Sequence, residues 1–322
     1  MGYLETTKDF YRTAAEEPDE GLCCTITPAW QLPELTVPGR MHEMNYGCGS
    51  TVHPRDLAAE PAVLYVGVGG GLELLRFTYF SRRPGAVIGI DPVEAMRDAA
   101  RQNLEEAARL NAWFETDFVS LRDGDAMALP VHAGSVDVVA QNCLFNIFEE
   151  ADLRRALAET YRVLRPHGRF VTSDPIAPHA LPGHLTGDER LRAMCLSGAT
   201  TYERYVDLLV EAGFGTLEVR ARRPYRVLDP ARFGVEKPVL LQSIEVAAIK
   251  DPVPDDGPCV FTGRTALYFG SEPSFDDGAG HILSRDVPAS VCDKTAEKLL
   301  ARGRDDLLVT PSTWFYDGGG CC

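Results

Sequence analysis

The chain has 322 residues, 45% hydrophobic and 25% charged, with 47 acidic against 32 basic side chains and a net charge of −15. A chain of that length can bury a full core and is expected to divide into two domains with a small third. The negative balance argues against nucleic acid as a partner; no apolar run approaches the roughly 20 residues that span a bilayer, and no basic-then-apolar leader opens the chain, so no membrane role is expected and the cytosol is the expected compartment.

Residues 1–60 read as an irregular cap, with a short helix near Lys8–Ala15 and prolines 28, 33, 38 and 54 breaking the rest. From 61 to 176 strands and helices alternate. Ala62–Val66 is a buried strand that runs into glycines, Leu72–Ser81 a helix, Ala86–Ile90 a second strand closed by Asp91, and Val93–Leu110 a long amphipathic helix. A third strand begins at Phe118-Val119, before the turn Asp123-Gly124-Asp125. Val136–Ala140 is a fourth strand, Asp152–Leu164 a helix stopped by Pro166 and Gly168, and Arg169–Ser173 a fifth strand. This alternation predicts an α/β fold with a parallel sheet wound on both faces. Helices near Asp188–Ser197 and Thr201–Ala212 follow, then strands Leu217–Arg220 and Gln242–Lys250 and a Pro-rich linker over 251–258. The remainder to Cys322 has its own strand at Arg264–Phe269 and a helix at Lys294–Arg302.

Gly67-Val68-Gly69-Gly70-Gly71 stands where the first strand hands over to a helix. Glycine permits positive φ and close backbone approach to a ligand, and a helix N-terminus offers free N–H groups to an anion. Asp91, about twenty residues on, is placed to accept hydrogen bonds from both hydroxyls of a ribose. Such a turn serves a dinucleotide or S-adenosylmethionine.

The succession Gly124-Asp125-Ala126-Met127-Ala128-Leu129-Pro130, Ser135–Val139 and Tyr161–Arg169 resembles the class I S-adenosylmethionine methyltransferases. The resemblance implies a Rossmann-like cofactor domain over 61–176, with Gly67, Gly69, Gly71, Asp91, Asp125, Ala126 and Asn142 at the cofactor. In it Asp125 stands beside the adenine amine, and the loop Gln141-Asn142-Cys143 lines the site. Where that family carries an acid at the end of the first strand, this chain has Tyr65, so another group must face the cofactor's ammonium end.

Nine cysteines complete the pattern, none in a CxxC pair. Zinc-ribbon spacing is therefore absent, and reduced thiols in an intracellular enzyme point to soft-metal binding or reactivity. Tyr46-Gly47-Cys48-Gly49, Met194-Cys195-Leu196-Ser197-Gly198-Ala199, and the C-terminal Gly257-Pro258-Cys259 and Val291-Cys292-Asp293-Lys294-Thr295-Ala296 are similar to the arsenite S-adenosylmethionine methyltransferases over nearly the whole chain. The terminal Tyr316–Cys322 resembles the branch associated with arsenosugar biosynthesis. What this implies is methyl transfer to thiol-bound As(III), with arsenite and methylarsenite as substrates and glutathione or thioredoxin as reductant. It also implies a cap over 1–60 carrying Cys23, Cys24 and Cys48, smaller α+β units in an arsenic-binding domain over 177–250, and a C-terminal domain over 251–322 ending in Cys321-Cys322. As(III) is soft and prefers thiolate; its lone pair attacks the sulfonium methyl directly, so catalysis rests on positioning. Cys48 and Cys195 are the expected ligands, with Cys23 or Cys24 as third thiol or redox partner, and Cys321 or Cys322 able to swing in. Cys143, Cys259 and Cys292 read as small hydrophobes, Arg220–Arg226 as a solvated edge, and His42, His53 and His167 as turn or surface residues. The competing readings are a methyltransferase acting on carbon or oxygen of a small organic acceptor and a non-catalytic arsenic-sequestering thiol protein.

Overall fold

The computed structural model describes residues 2–19, 22, 32–57 and 59–316. Cys23, Cys24, Cys321 and Cys322 fall outside the described residues. The frame is an eight-stranded sheet built from β1 (Val63–Val66), β2 (Val87–Ile90), β3 (Val119–Arg122), β4 (Val136–Asn142), β5 (Leu164–Ile176), β6 (Thr216–Leu228), β7 (Val239–Ile249) and β8 (Cys259–Phe261). Their order is β3-β2-β1-β4-β5-β7-β6-β8. The first five run parallel, joined by helical crossovers except between β3 and β4, where the connection is a loop, and β7 enters antiparallel between β5 and β6. This is the Rossmann-like α/β architecture expected from the alternation of strands and helices.

All four residues of β1 are buried, as an apolar run between two covered faces requires. On one face the helices Leu72–Phe80 and Glu94–Leu110 bury Leu74, Leu75, Phe77, Met96, Ala100 and Leu104. On the other, Glu150–Val163 and Tyr202–Glu211 pack Leu157, Leu208 and Leu209 against Phe170 and Phe214. The N-terminal helix, Tyr3–Glu16, starts earlier than its apolar spacing indicated and is fastened by its own tyrosines: Tyr11 donates to the Ala193 carbonyl at 3.1 Å.

The largest departure lies in β5, β6 and β7, each longer than expected. β5 pairs with β7 from Arg169 to Ile176, and β6 pairs with β7 along nearly its whole length. Pro224 and four arginines over 216–226 obscure a strand that tolerates them through two irregularities in register, between Val219 and Ala221 and between Pro224 and Arg226. The residues left out of the pairing are Arg220 and Tyr225. A bulge re-aims a side chain, and both of these point to buried partners.

Arg220 corrects the solvated-edge expectation. It is buried, bonded through Nη2 to Asp56 Oδ1 at 2.8 Å and to Glu218 Oε2 at 2.9 Å. Burial pushes the Asp56 carboxyl up, but the Arg220 guanidinium outweighs it and holds that carboxyl below its usual range. His53 sits beside this pair, pushed down to about 4 by burial and by Arg220. His42 and His167 are exposed.

At the far edge β8 runs parallel to β6. Strands Arg264–Tyr268, Ala289–Val291 and Leu307–Val309 form a separate antiparallel sheet covered by the helix Asp293–Leu300. Among the described residues no helix is long and apolar enough to cross a membrane.

Candidate functional site

A cleft opens where β1, β2 and β4 end and the N-terminal helix crosses above them. Gly67, Gly69, Asp91, Asp125, Ala126 and Asn142 all line it. Gly71 does not; it precedes the helix Leu72–Phe80 in a left-handed conformation, φ 85°. Gly67 also has positive φ, 81°, and a Cβ there would stand 3.2 Å from Leu144, so glycine keeps the turn open on both counts. Asp91 accepts from the Val68 amide through Oδ2 at 3.0 Å and from the Val93 amide through Oδ1 at 2.9 Å. Burial raises its carboxyl to about 6, against the pull of those two amides. One amide per oxygen leaves acceptor capacity for paired hydroxyls. Asp125 is fixed by the Met127 amide at 2.8 Å. The donor and acceptor set fits the nucleoside part of S-adenosylmethionine.

Tyr65 holds the place where an acid was expected, and its hydroxyl donates to Glu73 Oε2 at 2.8 Å. Glu73 is buried in the first turn of the helix Leu72–Phe80 and lines the cleft. It also accepts from the Thr51 amide at 2.9 Å, the Thr51 hydroxyl at 2.8 Å and Asn142 Nδ2 at 3.2 Å. Its one signal in the sequence is its place two residues past the last glycine, in the first turn of the helix.

Cys48, Cys143 and Cys195 come together at the inner end of the cleft, packed with Ile147, Tyr11, Leu144 and Tyr225. Cys143 itself lines the cleft. It is buried, as a small hydrophobe would be, but it also stands between the other two thiols. Cys48 and Cys195 both hydrogen-bond toward Cys143, as does the Tyr225 hydroxyl, and together they hold the Cys143 thiol well below its usual range. Burial pushes the Cys48 thiol up. Cys195 is pushed up by its bond to Cys143 and then by burial. The cluster thus favours one shared thiolate, sheltered by two protonated thiols.

The backbone is shaped to seat these sulfurs. Cys143 and Cys195 both adopt positive φ, 60° and 58°, a strain of order 1–3 kcal/mol that clusters at functional sites. At Cys195 this turn also ends the helix at Ala193, short of the expected Ser197. Asn142 accepts from the Cys48 amide at 2.9 Å and donates to the Gly49 carbonyl at 2.8 Å. A Cβ on Gly47 would stand 2.5 Å from Asn142, one on Gly49 2.3 Å from Ser173 Oγ, and one on Gly198 1.7 Å from the Asn146 carbonyl oxygen. The glycines of both thiol motifs therefore exist for close packing. Ser173 Oγ lies 3.4 Å from Cys48 Sγ.

Cys195 Sγ points at the Cys143 carbonyl, and among the described residues no group of three or more His, Cys, Asp or Glu is arranged as a ready metal site. The thiols are gathered without a preformed ligand geometry. Cys259 and Cys292 pack in a different cluster with Phe261 and Tyr316. Just behind the thiols, Asp174 is fully buried and accepts from Thr172 and Tyr205, each at 2.8 Å. Burial and then the Cys143 charge raise it to about 7.

A family model described as a methyltransferase domain matches residues 64–172. The arsenite methyltransferase of Aquipseudomonas alcaligenes is 29% identical over 295 residues, covering 88% of this chain and 81% of that protein. That of Halobacterium salinarum is 32% identical over 177 residues, 55% of this chain and less than half, 43%, of that protein. Among solved structures, the arsenic (III) S-adenosylmethionine methyltransferase of Chlamydomonas reinhardtii shares the fold, with a TM-score of 0.58 and 23% identity over 88% of this chain and 95% of that one.

Proposed function

We propose that this chain, which is similar to arsenite methyltransferases and carries a methyltransferase domain, is a member of that family and methylates As(III) held by the thiols of Cys48, Cys143 and Cys195. The observation that carries the reading is the single cleft that joins Gly67, Asp91 and Asp125 to Cys143. Bound there, S-adenosylmethionine supplies a methyl group activated by its sulfonium charge. Asp91 orients the ribose, Asp125 and Ala126 border the base, and the glycine turn lets the backbone approach.

The three sulfurs replace the oxygens of arsenite: Cys48 and Cys195 pass their S–H protons to two departing hydroxyls as water, and the Cys143 thiolate displaces the third as hydroxide, which takes its proton from solvent. The raised Cys48 and Cys195 suit this, because they arrive protonated. Loading turns Cys195 away from the Cys143 carbonyl toward the other sulfurs. Thiolate-bound As(III) keeps its lone pair, and that pair forms the As–C bond, so no general base is needed at the nucleophile. Arsenic thereby loses two electrons formally. It regains them when two thiolates leave as a disulfide, and an external thiol such as glutathione or thioredoxin then reduces that disulfide. Cys23 and Cys24 are candidates to exchange with Cys48 at that stage. The further placement in arsenosugar biosynthesis, the four-part division at 60, 176 and 250, and a cytosolic location complete the proposal.

The test is incubation with arsenite, S-adenosylmethionine and thiol, followed by speciation of arsenic. Methylated arsenic that disappears in Cys143→Ser supports the reading. Recovery of arsenite alone across a range of thiols refutes it, and turnover of an organic acceptor in its place would establish the competing carbon or oxygen methyltransferase.

A further inference from the structure

The first strand ends in Tyr65, yet a carboxylate still reaches the cleft. We propose that Glu73 is the anionic subsite for the ammonium of the methyl donor's amino acid end, and that Tyr65, Thr51 and Asn142 are the donors that aim it. This rests on the reading of the cleft as an S-adenosylmethionine site.

Three features carry the assignment. Glu73 is 6% exposed and yet lines the cleft. A buried carboxylate is costly unless well paired; Arg76 supplies a charge nearby, but the four groups that hydrogen-bond to Glu73 are neutral: the Thr51 amide and hydroxyl, the Tyr65 hydroxyl and Asn142 Nδ2. Three of these converge on Oε2, while Oε1 accepts from the Thr51 amide alone among them, which leaves it capacity for a further donor. An ammonium supplies both the hydrogen bond and the charge.

The Tyr65 side chain explains why the acid moved. Its hydroxyl spans from the strand end to the helix and ends on Glu73. Burial and the neighbouring carboxylate raise that phenol well above its usual value, so it remains a donor. The carboxylate is thus displaced from strand to helix with the tyrosine as its strut. Asn142 binds Glu73 and the Cys48 amide with one side-chain amide group. The ammonium subsite and the thiol loop therefore share a positioning residue.

The test is isothermal calorimetry on the full chain with two ligands. S-adenosylhomocysteine carries the amino acid end; methylthioadenosine lacks it. In Glu73→Gln, S-adenosylhomocysteine is expected to weaken about tenfold or more, as loss of a charge-assisted bond implies, while methylthioadenosine binds as to the wild type. Tyr65→Phe, which leaves the carboxylate in place but removes its strut, is expected to weaken S-adenosylhomocysteine about threefold, again without effect on methylthioadenosine. Equal weakening of both ligands in both variants would assign Glu73 a purely structural role and overturn the proposal. Unchanged S-adenosylhomocysteine affinity in Glu73→Gln would also overturn it. Wild-type protein that binds neither ligand would instead overturn the cleft assignment itself.

Discussion

The cofactor cleft and the thiol cluster adjoin each other but are built in opposite ways. The cleft takes its two aspartates from successive strand ends, and each has a bond from a neighbour in sequence. Asp91 is bonded by Val93 two residues on, and Asp125 by Met127 two residues on. The thiol cluster is assembled across the chain. Cys48 hangs from Asn142, 94 residues away, and Cys195 reaches Cys143 across 52. Local construction makes a site that tolerates change elsewhere. Long-range construction makes one whose geometry depends on every element that packs against it.

The most severe way to break that contrast is at Cys143, which belongs to both regions. Cys143→Ser is expected to lower arsenic methylation by about 100-fold or more, as loss of a group that binds the reacting atom does, with S-adenosylhomocysteine affinity retained in calorimetry. Cys259→Ser, in the separate C-terminal cluster, is expected to keep near-wild-type methylation. If Cys143→Ser methylates arsenite at the wild-type rate, the triad is wrong and Cys48 and Cys195 must find their third ligand elsewhere.

The same contrast explains what could be read in advance. The strands β1, β2 and β4 and the cleft residues Gly67, Asp91 and Asp125 follow from local spacing. Cys48 and Cys195 stand in recognisable glycine frames. Cys143 does not: it occupies the end of a buried strand, where a small apolar residue is ordinary, and only the sheet order β1-β4-β5 brings it to the thiols. Glu73 was hidden because a helix carboxylate reads as a solvated one, and its partner Thr51 comes from the cap. Arg220 and Tyr225 were hidden by the bulges in β6. A strand pattern fixes the direction of paired residues, but not of those left out of the register.

A gentler break acts at Gly198. A Cβ there would lie 1.7 Å from the Asn146 carbonyl oxygen, so the backbone after Cys195 must move. Gly198→Ala is expected to cost about 1–3 kcal/mol of stability, as overpacking does, and to lower methylation about tenfold through displaced Cys195, a geometric effect on positioning. Cofactor affinity should hold. Thermal unfolding and calorimetry on the same preparation decide the matter: a loss of S-adenosylhomocysteine binding equal to the loss of methylation would mean that the two regions are not separable.

The smallest effect concerns protons at Asp91 and sharpens the local side of the comparison. Burial raises this carboxyl to about 6. Because its pKa is raised on folding, the protonated form is the one the fold favours, and that contribution to stability fades as pH rises from the ordinary carboxylate range through about 6. Ribose hydroxyls favour the ionised form and draw the pKa back down. Binding near pH 6 therefore releases a fraction of one proton, and affinity falls a few-fold as pH drops from about 7.5 to 5.5. Calorimetry at pH 6 in two buffers of different ionisation enthalpy measures the release. The wild type should show it, Asp91→Asn should not, and at pH 8 neither should. Proton release that persists in Asp91→Asn would move the titrating group elsewhere in the cleft, and the ribose contact would lose its physical basis.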